Sequence, residues 1–211
     1  MLCEISFAVF AVKLRLKRKD RKEVRRKGAQ RKAFRKQGIC LKVIETDRLI
    51  LRWLSTDDAA FLLELMTDPS WLQFIGNKSV QTIEDARNSI LNKHVEMYKR
   101  LGFGLYLTEL KAEGVPIGIC GLIKRDTLED VDLGFAFLPK FRGKGYAYEA
   151  ASATMEYGKN VLGLNRIVAI TTEDNDASIK LLEKLGFQFE KLVEMSTDEK
   201  ELMLFAIQFR R

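Results

Sequence analysis

The chain has 211 residues, enough for one globular domain and an appendage, and its formal net charge is +7. The charge is uneven: residues 1–38 hold 14 Lys and Arg against 3 Asp and Glu, which leaves 22 basic and 26 acidic residues in 39–211, so the basic excess is no evidence for a nucleic-acid-binding domain. One histidine and three scattered cysteines argue against a Ser-His-Asp site, a His-based metal site and a disulfide framework, and they favour a reducing, cytoplasmic compartment.

Residues 1–40 are predicted to be a basic N-terminal extension, and residues 41–211 to be the folded domain. The apolar stretch Leu2–Val12 is too short to cross a membrane, and the basic run follows it instead of preceding it as in a signal peptide. Residues 13–38 form either a basic helix on an anionic surface, such as RNA, the ribosome or a membrane, or a solvated, disordered tail. A third interpretation is that an upstream start assignment produced the extension.

The folded domain is predicted to begin with a strand in Val43–Leu54. The elements that follow are two helices, three strands, a long helix, a strand, a helix and two strands, at about 56–66, 82–101, 103–110, 115–123, 130–138, 145–162, 166–171, 177–185, 187–194 and 200–209. His94, in the second helix, is predicted on a solvated face. This order indicates a mixed α/β layout in which the long helix makes one parallel, right-handed crossover.

The glycine-rich turn Arg142–Ala147, between a predicted buried strand and the long helix, is the most informative segment. Glycine permits a tight turn and a close approach of the backbone to a ligand. The first amides of the helix have no partner within the helix and lie at its positive end, where phosphates bind. The patterns GxGxxG and GxxxxGK[ST] are both absent. The turn is therefore either a pyrophosphate site, with added charge from Arg142 and Lys144, or a structural strand-to-helix turn.

The Arg-x-x-Gly-x-Ala pattern of this turn resembles the (Gln/Arg)-x-x-Gly-x-(Gly/Ala) loop of the GCN5-related N-acetyltransferase (GNAT) superfamily. Two further segments strengthen the resemblance. Residues 45–52 are similar to the opening strand of the branch that includes the acetyltransferases of ribosomal-protein N-termini, and residues 175–187 are similar to its late Asn-helix-Gly-Phe segment. The resemblance covers about residues 43–208.

This resemblance implies an α/β fold of the GNAT type: a mixed, mostly antiparallel twisted sheet flanked by helices, with two central parallel strands that splay. Acetyl-CoA would lie in the opening as the cosubstrate, and no metal is implied. The backbone of Phe137 and Leu138 would bond the pantetheine amides as an added strand does. Asn175 matches the family's Asn that faces the cofactor, and it is an equally good helix cap. The implied cofactor contacts are Phe137, Leu138, Arg142, Gly143, Lys144, Gly145, Tyr146, Ala147 and Asn175.

Two residues are candidates for the catalytic chemistry. Asp132, on the strand that leads to the loop, is either the base that takes a proton from the amine or a carboxylate that orients the substrate or a neighbouring strand. Leu182 stands where many relatives place the Tyr that protonates the leaving thiolate. Ser178 is therefore a candidate hydrogen-bond donor or water positioner, unless it only begins its helix. Without a strong acid, catalysis would rest mainly on positioning.

The predicted acceptor is a primary amine, either a peptide N-terminus or a small molecule, that attacks acetyl-CoA directly in a ternary complex. Trp71 and Phe74 would either line its access path or form a hydrophobic lid on the core. The leading hypothesis is thus an acetyl-CoA-dependent N-acetyltransferase. The alternative is a non-catalytic CoA-binding module that docks on RNA or the ribosome through its basic arm.

Overall fold

A computed structural model of the protein describes residues 41–76, 79–194 and 201–209. The predicted extension of residues 1–40 lies outside the described residues, and so does the predicted contact of residues 13–38 with an anionic surface. Within the described part of the chain, no helix is long and apolar enough to cross a membrane.

The described strands form one eight-stranded sheet in the order β1-β2-β3-β4-β5-β6-β8-β7. Their bounds are β1 Lys42–Glu45, β2 Leu49–Arg52, β3 Leu105–Leu110, β4 Pro116–Ile123, β5 Val131–Phe137, β6 Arg166–Thr171, β7 Gln188–Val193 and β8 Leu202–Gln208. Neighbouring strands are antiparallel except for β5 and β6, which are parallel. This arrangement confirms the predicted fold class.

Helices cover both faces of the sheet. They are α1 Ala59–Met66, α2 Pro69–Phe74, α3 Ile83–Ser89, α4 Glu96–Leu101, α5 Tyr146–Asn160 and α6 Asp176–Lys184, with a π-helical segment, Ile90–Val95, joining α3 to α4. Side chains of α1 and α3 pack with Leu107 and Ile119 in one apolar cluster, while side chains of α5 and α6 pack with Tyr106 and Cys120 in another. Because successive strand residues point to opposite faces, the sheet is the central layer between two cores.

The first predicted strand is in fact two short strands, β1 and β2, joined by a tight turn. The Thr46 N–H donates to the Leu49 carbonyl at 2.9 Å, and the Leu49 N–H donates to the Thr46 hydroxyl at 2.9 Å. These two bonds reverse the chain, and they bring Arg48 to the end of a hairpin instead of the interior of a strand.

Helix α2 is an element that the sequence pattern did not predict. Asp68 caps it by accepting a hydrogen bond from the Ser70 N–H at 3.0 Å. Pro69 occupies its first turn, where the missing N–H would have no partner in any case. The same proline therefore ends one helix and begins the next, which explains why no helix was predicted between residues 66 and 82.

The prediction that His94 lies on a solvated face is wrong. His94 belongs to the π-helical segment between α3 and α4 and is partly buried. Burial, with a smaller contribution from the charge of Lys93, lowers the pKa of His94 to about 4. The imidazole is therefore neutral at physiological pH.

The parallel strands β5 and β6 separate soon after they begin. Their pairing joins Val131 to Ile167 and Asp132 to Val168, and no pair follows, although both strands are described to their ends. Beyond Asp132 the strands splay, as the resemblance implies, and they leave an opening in the middle of the sheet.

Candidate active site

A cavity of about 520 Å³ fills the opening between β5 and β6. Its wall includes residues 132–137 of β5 and 169–171 of β6, and it extends to the glycine-rich loop and to α2. The residues predicted for the site line this cavity, with the exceptions of Leu138 and Lys144. Folding therefore brings together side chains that are scattered from Trp71 to Ser178 in the sequence.

Leu138 does not direct its backbone groups into the opening. Its N–H donates to the Ile117 carbonyl at 3.0 Å, and its own carbonyl accepts from the Phe141 N–H at 3.0 Å. Because Leu138 bonds β4, alternation along the antiparallel ladder turns the N–H and C=O groups of Phe137 and Phe135 away from β4. Phe135 and Phe137, and not Leu138, present the strand edge to the cavity.

The loop has the backbone conformation that its glycines predict. Gly143 and Gly145 lie in the left-handed region, with φ of +73° and +82°, and both line the cavity. Gly145 is the residue before the first turn of α5, so the amides of Tyr146 and Ala147 begin the helix without partners inside it. The positive end of a 15-residue helix therefore faces the opening.

Both cationic side chains of the loop contact other parts of the protein. Arg142 Nε donates to the Phe137 carbonyl at 2.8 Å, and Arg142 Nη2 donates to Asp68 Oδ1 at 3.2 Å. The Lys144 ammonium lies 5.7 Å from the centroid of the Phe141 ring. Arg142 thus connects the loop to β5 and to Asp68, the N-cap residue of α2.

Arg48 is a loop contact that the sequence prediction did not assign. Its guanidinium forms an ion pair with Glu149 of α5 at 2.6 Å and donates to the Lys144 carbonyl at 3.2 Å. It also lies 4.7 Å from the centroid of the Tyr146 ring. Arg48 was part of the family-like opening strand, but no spacing rule in the sequence connects it to a loop that lies about a hundred residues later.

Glu149 joins the β1–β2 hairpin to the first turn of α5. Besides Arg48, its carboxylate accepts hydrogen bonds from the Thr46 hydroxyl at 2.5 Å and from the Arg48 backbone N–H at 3.0 Å. Burial acts to raise the pKa of Glu149, but these hydrogen bonds and the Arg48 charge outweigh it and hold the pKa below its ordinary value. The carboxylate is therefore ionised at neutral pH and fixes the start of the helix.

Asp132 is 1% exposed and lies where β5 and β6 begin to separate. Its Oδ2 accepts a hydrogen bond from Arg125 Nε at 2.6 Å, whereas its buried Oδ1 has no partner among the described residues. Burial raises the pKa of Asp132, and the charge and hydrogen bond of Arg125, together with the backbone N–H of Ile170, reduce that rise. In the described part of the chain, no three His, Cys, Asp or Glu side chains group as a potential metal site.

Asn175 and Ser178 stand together at the start of α6, on the cavity wall. Asn175 Oδ1 accepts a hydrogen bond from the Ser178 backbone N–H at 3.2 Å, which is the helix-cap role that the sequence also allowed. Leu182, one turn later, is buried in the core and offers no proton. The amide nitrogen of Asn175 and the hydroxyl of Ser178 are the polar groups that remain here for a ligand.

Trp71 and Phe74 lie on α2 and line the cavity from the face opposite α5. Trp71 also packs against the apolar cluster of α1 and α3, so it contributes to the core as well as to the cavity. The buried Nε1 of Trp71 has no hydrogen-bond partner among the described residues. The two roles predicted for Trp71 and Phe74, access path and hydrophobic lid, are therefore compatible.

Tyr148 of α5 and Lys184 of α6 also line the cavity, although no sequence pattern indicated either residue. The Lys184 ammonium lies 4.7 Å from the centroid of the half-exposed Tyr148 ring. The pair closes the space between the two helices with an aromatic face and a positive charge.

The family model of the acetyltransferase (GNAT) domain matches residues 48–188. The chain is 31% identical over 149 residues to YoaA, an uncharacterized N-acetyltransferase of Bacillus subtilis, with 69% of this chain and 82% of that protein covered. It is 26% identical over 155 residues to the [ribosomal protein uS5]-alanine N-acetyltransferase of Escherichia coli, covering 69% and 77%. It is 23% identical over 141 residues to spermidine N(1)-acetyltransferase of the same species, covering 66% and 73%.

Among solved structures, a GNAT-family acetyltransferase from Bacillus anthracis superposes with a TM-score of 0.66 at 28% identity, covering 78% of this chain and 97% of that one. This superposition supports the overall fold described above. With the family model matched over more than half of the chain, the protein belongs to the GNAT acetyltransferases, a family of N-acetyltransferases that uses acetyl-CoA.

Proposed function

We propose that this protein transfers the acetyl group of acetyl-CoA to a primary amine inside the cavity between β5 and β6. One observation carries the proposal. The left-handed glycine loop and the buried carboxylate of Asp132, with its unpartnered oxygen, line the same cavity. A place for a pyrophosphate and a place for an amine are the two requirements of this reaction, and they lie within reach of one extended cosubstrate.

The fit of acetyl-CoA is supported by the backbone. The loop of residues 142–147 offers the free amides at the start of α5 to the pyrophosphate, and its two cavity-lining glycines allow close approach. Phe135 presents the N–H and C=O groups of a strand edge, and Phe137 adds its N–H, while the Phe137 carbonyl accepts from Arg142 Nε; the amides of an extended pantetheine chain add to this edge as a further strand. The side-chain amide nitrogen of Asn175 adds one donor on the opposite wall.

The carboxylate of Asp132 is proposed to meet the amine. Acetyl-CoA supplies an activated thioester carbonyl, and the protein has to present the amine to it in the neutral form. Asp132 Oδ1 accepts a proton from the amine or holds it in position, and the pKa raised by burial makes this carboxylate a stronger base. Ser178 is a hydrogen-bond donor or water positioner. Since Leu182 provides no acid, positioning supplies most of the rate enhancement.

The amine is proposed to reach Asp132 along α2, past Trp71 and Phe74. Both a peptide N-terminus and a small-molecule amine belong to the acceptor classes of relatives, which are named for a ribosomal-protein alanine and for spermidine. The cytoplasmic compartment, the domain boundary near residue 40 and an RNA or ribosome contact of residues 13–38 stay predictions.

Thermal unfolding of the full chain, with and without acetyl-CoA, tests the cofactor site, because a ligand that binds only the folded state raises the midpoint. Release of the CoA thiol with a panel of amines then tests the reaction. Asp132→Asn is expected to keep the acetyl-CoA shift and to lose most of the turnover. Asp130→Asn is the matched control, since Asp130 pairs with Arg166 outside the cavity and should leave both measurements unchanged.

The outcomes separate the candidate functions. An upward shift with turnover that depends on Asp132 supports the proposal. An upward shift with no turnover on any amine would favour the non-catalytic CoA-binding module. No shift at millimolar acetyl-CoA would contradict the proposed cofactor site.

A further inference from the structure

The charges around the cavity are unequal, and this bears on the class of acceptor. The charged side chains on the cavity wall, among the described residues, are Arg125, Lys184, Arg142, which is paired with Asp68, and one carboxylate, that of Asp132. That carboxylate is already paired with Arg125. A polycationic acceptor would bring several positive charges into a space that has one neutralised acidic group to receive them, and like charges brought together are costly.

In the ion pair of Arg125 and Asp132, each side chain keeps hydrogen-bonding groups that no other described residue occupies. The Arg125 side chain is 37% exposed, and its Nε is bonded to Asp132 Oδ2 at 2.6 Å. The guanidinium has further N–H donors in a fixed planar fork, and no hydrogen bond joins them to the described residues. Asp132 Oδ1 is buried and has no partner among the described residues. The pair therefore offers a donor fork and an acceptor oxygen side by side on one wall.

The space in front of this pair is apolar. Ile123, Phe135, Trp71 and Phe74 line the same cavity, and a buried ionic group is tolerated there only when it meets an opposite charge. A molecule with a single positive group would compete with Arg125 for the Asp132 carboxylate, and it would offer no acceptor to the remaining N–H donors of the Arg125 fork. A molecule with a positive and a negative group a few bonds apart would satisfy both.

We propose that the acceptor is a small amino acid-like molecule, whose amine meets Asp132 Oδ1 and whose carboxylate is bound by the guanidinium of Arg125. This assignment rests on the proposed acetyltransferase function and names its substrate class. Arg125 is a specificity-determining residue: it binds the anionic group next to the reacting amine, and an apolar side chain of the acceptor packs on α2 between Trp71 and Phe74. Polyamines are poor acceptors for the same reason.

Binding measurements that need no turnover test this assignment directly. The full chain is titrated with the twenty amino acids and the corresponding amino acid amides, by calorimetry and by thermal unfolding, with and without desulfo-CoA, an unreactive CoA analogue. At least one amino acid is expected to bind about ten times or more tightly than its amide, because the amide lacks the charge that Arg125 meets. Acetylation by thiol release is expected to follow the same order, with spermidine among the weakest acceptors.

Two substitutions localise the effect. Arg125→Gln is expected to remove the preference for the amino acid over its amide, while Arg125→Lys, which keeps the charge but loses the fork, retains part of it. Lys140→Gln is the control, because Lys140 is a cation near α1 that pairs with Glu64 outside the cavity wall, and this variant should keep the full preference. If Arg125→Gln fails to fold, the comparison of each amino acid with its amide in the unmodified protein still decides whether the carboxylate of the acceptor is recognised.

Failure of this inference is distinguishable from failure of the proposed function. A normal acetyl-CoA shift, combined with equal binding of amides and amino acids or with spermidine as the best acceptor, would overturn the acceptor class and leave the acetyltransferase intact. The absence of binding by all twenty amino acids would overturn it as well. Amino acid binding that depends on Arg125 without any acetyl-CoA shift would instead contradict the function and keep the ligand class.

Discussion

The two ends of the cavity are built in different ways. At the loop end, residues 142–147 offer backbone amides and left-handed glycines, and the contacts of Arg48 and Glu149 hold them in place. At the amine end, a single ion pair between Arg125 and Asp132 supplies the polar chemistry, and one of its oxygens has no partner among the described residues. Several independent contacts hold the loop end in place. The amine end depends on one ion pair, and it keeps one carboxylate oxygen for a ligand.

This difference explains why a cofactor site can be recognised in a sequence more easily than an acceptor site. The pyrophosphate is the same in every molecule of acetyl-CoA, so backbone geometry is enough to bind it, and the glycines that permit this geometry are visible as a motif. Acceptor amines differ from one enzyme to the next. The side chains that meet them come from separate segments, and their chemistry becomes visible only when the fold has brought them together.

The largest expected effect is at the loop end, where Gly145→Glu places a carboxylate on the approach of the pyrophosphate. Like charges this close cost several kcal/mol, so acetyl-CoA binding should weaken by about 100-fold or more. Gly163→Glu is the control, because Gly163 is also left-handed, with φ of +71°, but does not line the cavity. Both variants should lose similar thermal stability from backbone strain, and calorimetry should show lost binding in Gly145→Glu only. Equal loss of binding in the two would show that the loop acts through stability alone.

The next effect is at the amine end and depends on pH. The pKa of Asp132 is raised in the fold, so the folded protein holds this proton more tightly than the unfolded chain does. The stability that the proton contributes is complete below the unfolded pKa, near 3.8, and is lost as pH rises through the folded pKa. Denaturant titrations at several pH values should therefore show that the free energy of unfolding of wild type falls with rising pH relative to that of Asp132→Asn.

Turnover is expected to move in the opposite direction to this stability difference. Wild-type kcat should rise with pH as Asp132 ionises, and Asp132→Asn should lack this acidic limb. A wild-type curve that parallels the variant in both measurements would show that Asp132 does not titrate in the reaction.

A smaller effect is expected at the contact between the hairpin and the loop. Arg48→Ala and Glu149→Gln should each weaken acetyl-CoA binding several-fold, because the loop carbonyl and the Tyr146 ring lose a fixed neighbour. The double variant should be little worse than either single one, with a coupling of about 0.5–1 kcal/mol, since the side chain of Arg48 is half-exposed and screened by solvent. Additive losses would mean that the two residues act separately.

The smallest effect concerns the link between the two ends, Arg142 to Asp68. Burial acts to raise the pKa of Asp68, but hydrogen bonds from Ser70 and Arg142 outweigh it and keep the carboxylate ionised. Asp68→Asn keeps the helix cap, since Asn is a good capping residue, and removes the charge that Arg142 meets. Acceptor KM should rise about two- to threefold with little change in kcat. Asp85→Asn, at another helix cap, is the control.

Local signals explain most of what the sequence could predict. The strand, the loop and α5 follow one another within a short stretch, and glycine, proline and capping residues mark their ends by their own backbone preferences. The family pattern extended this to the splayed strands. The contradictory signal at Pro69 hid α2, because a proline that stops one helix is also suited to start another.

The features that could not be predicted from the sequence depend on contacts between distant segments. The backbone direction of Phe135 and Leu138 depends on which alternate residues of β5 bond to β4, and a period of two in the sequence does not choose between them. Arg48 and Glu149 are 101 residues apart, and nothing in their local sequence announces the contact. The unpartnered oxygen of Asp132 is likewise a property of the folded surroundings, and the residue type alone gave no sign of it.

The separation of β5 from β6 creates two facing sheet edges in the interior of the protein. An exposed edge normally pairs with any extended chain that meets it, and this is how sheets aggregate. Here residues of α2, α5 and α6 line the gap, so a chain must pass between these helices to pair with either edge. The protein therefore keeps two unpaired strand edges that would promote aggregation on an outer surface, and the surrounding helices limit which molecules reach them.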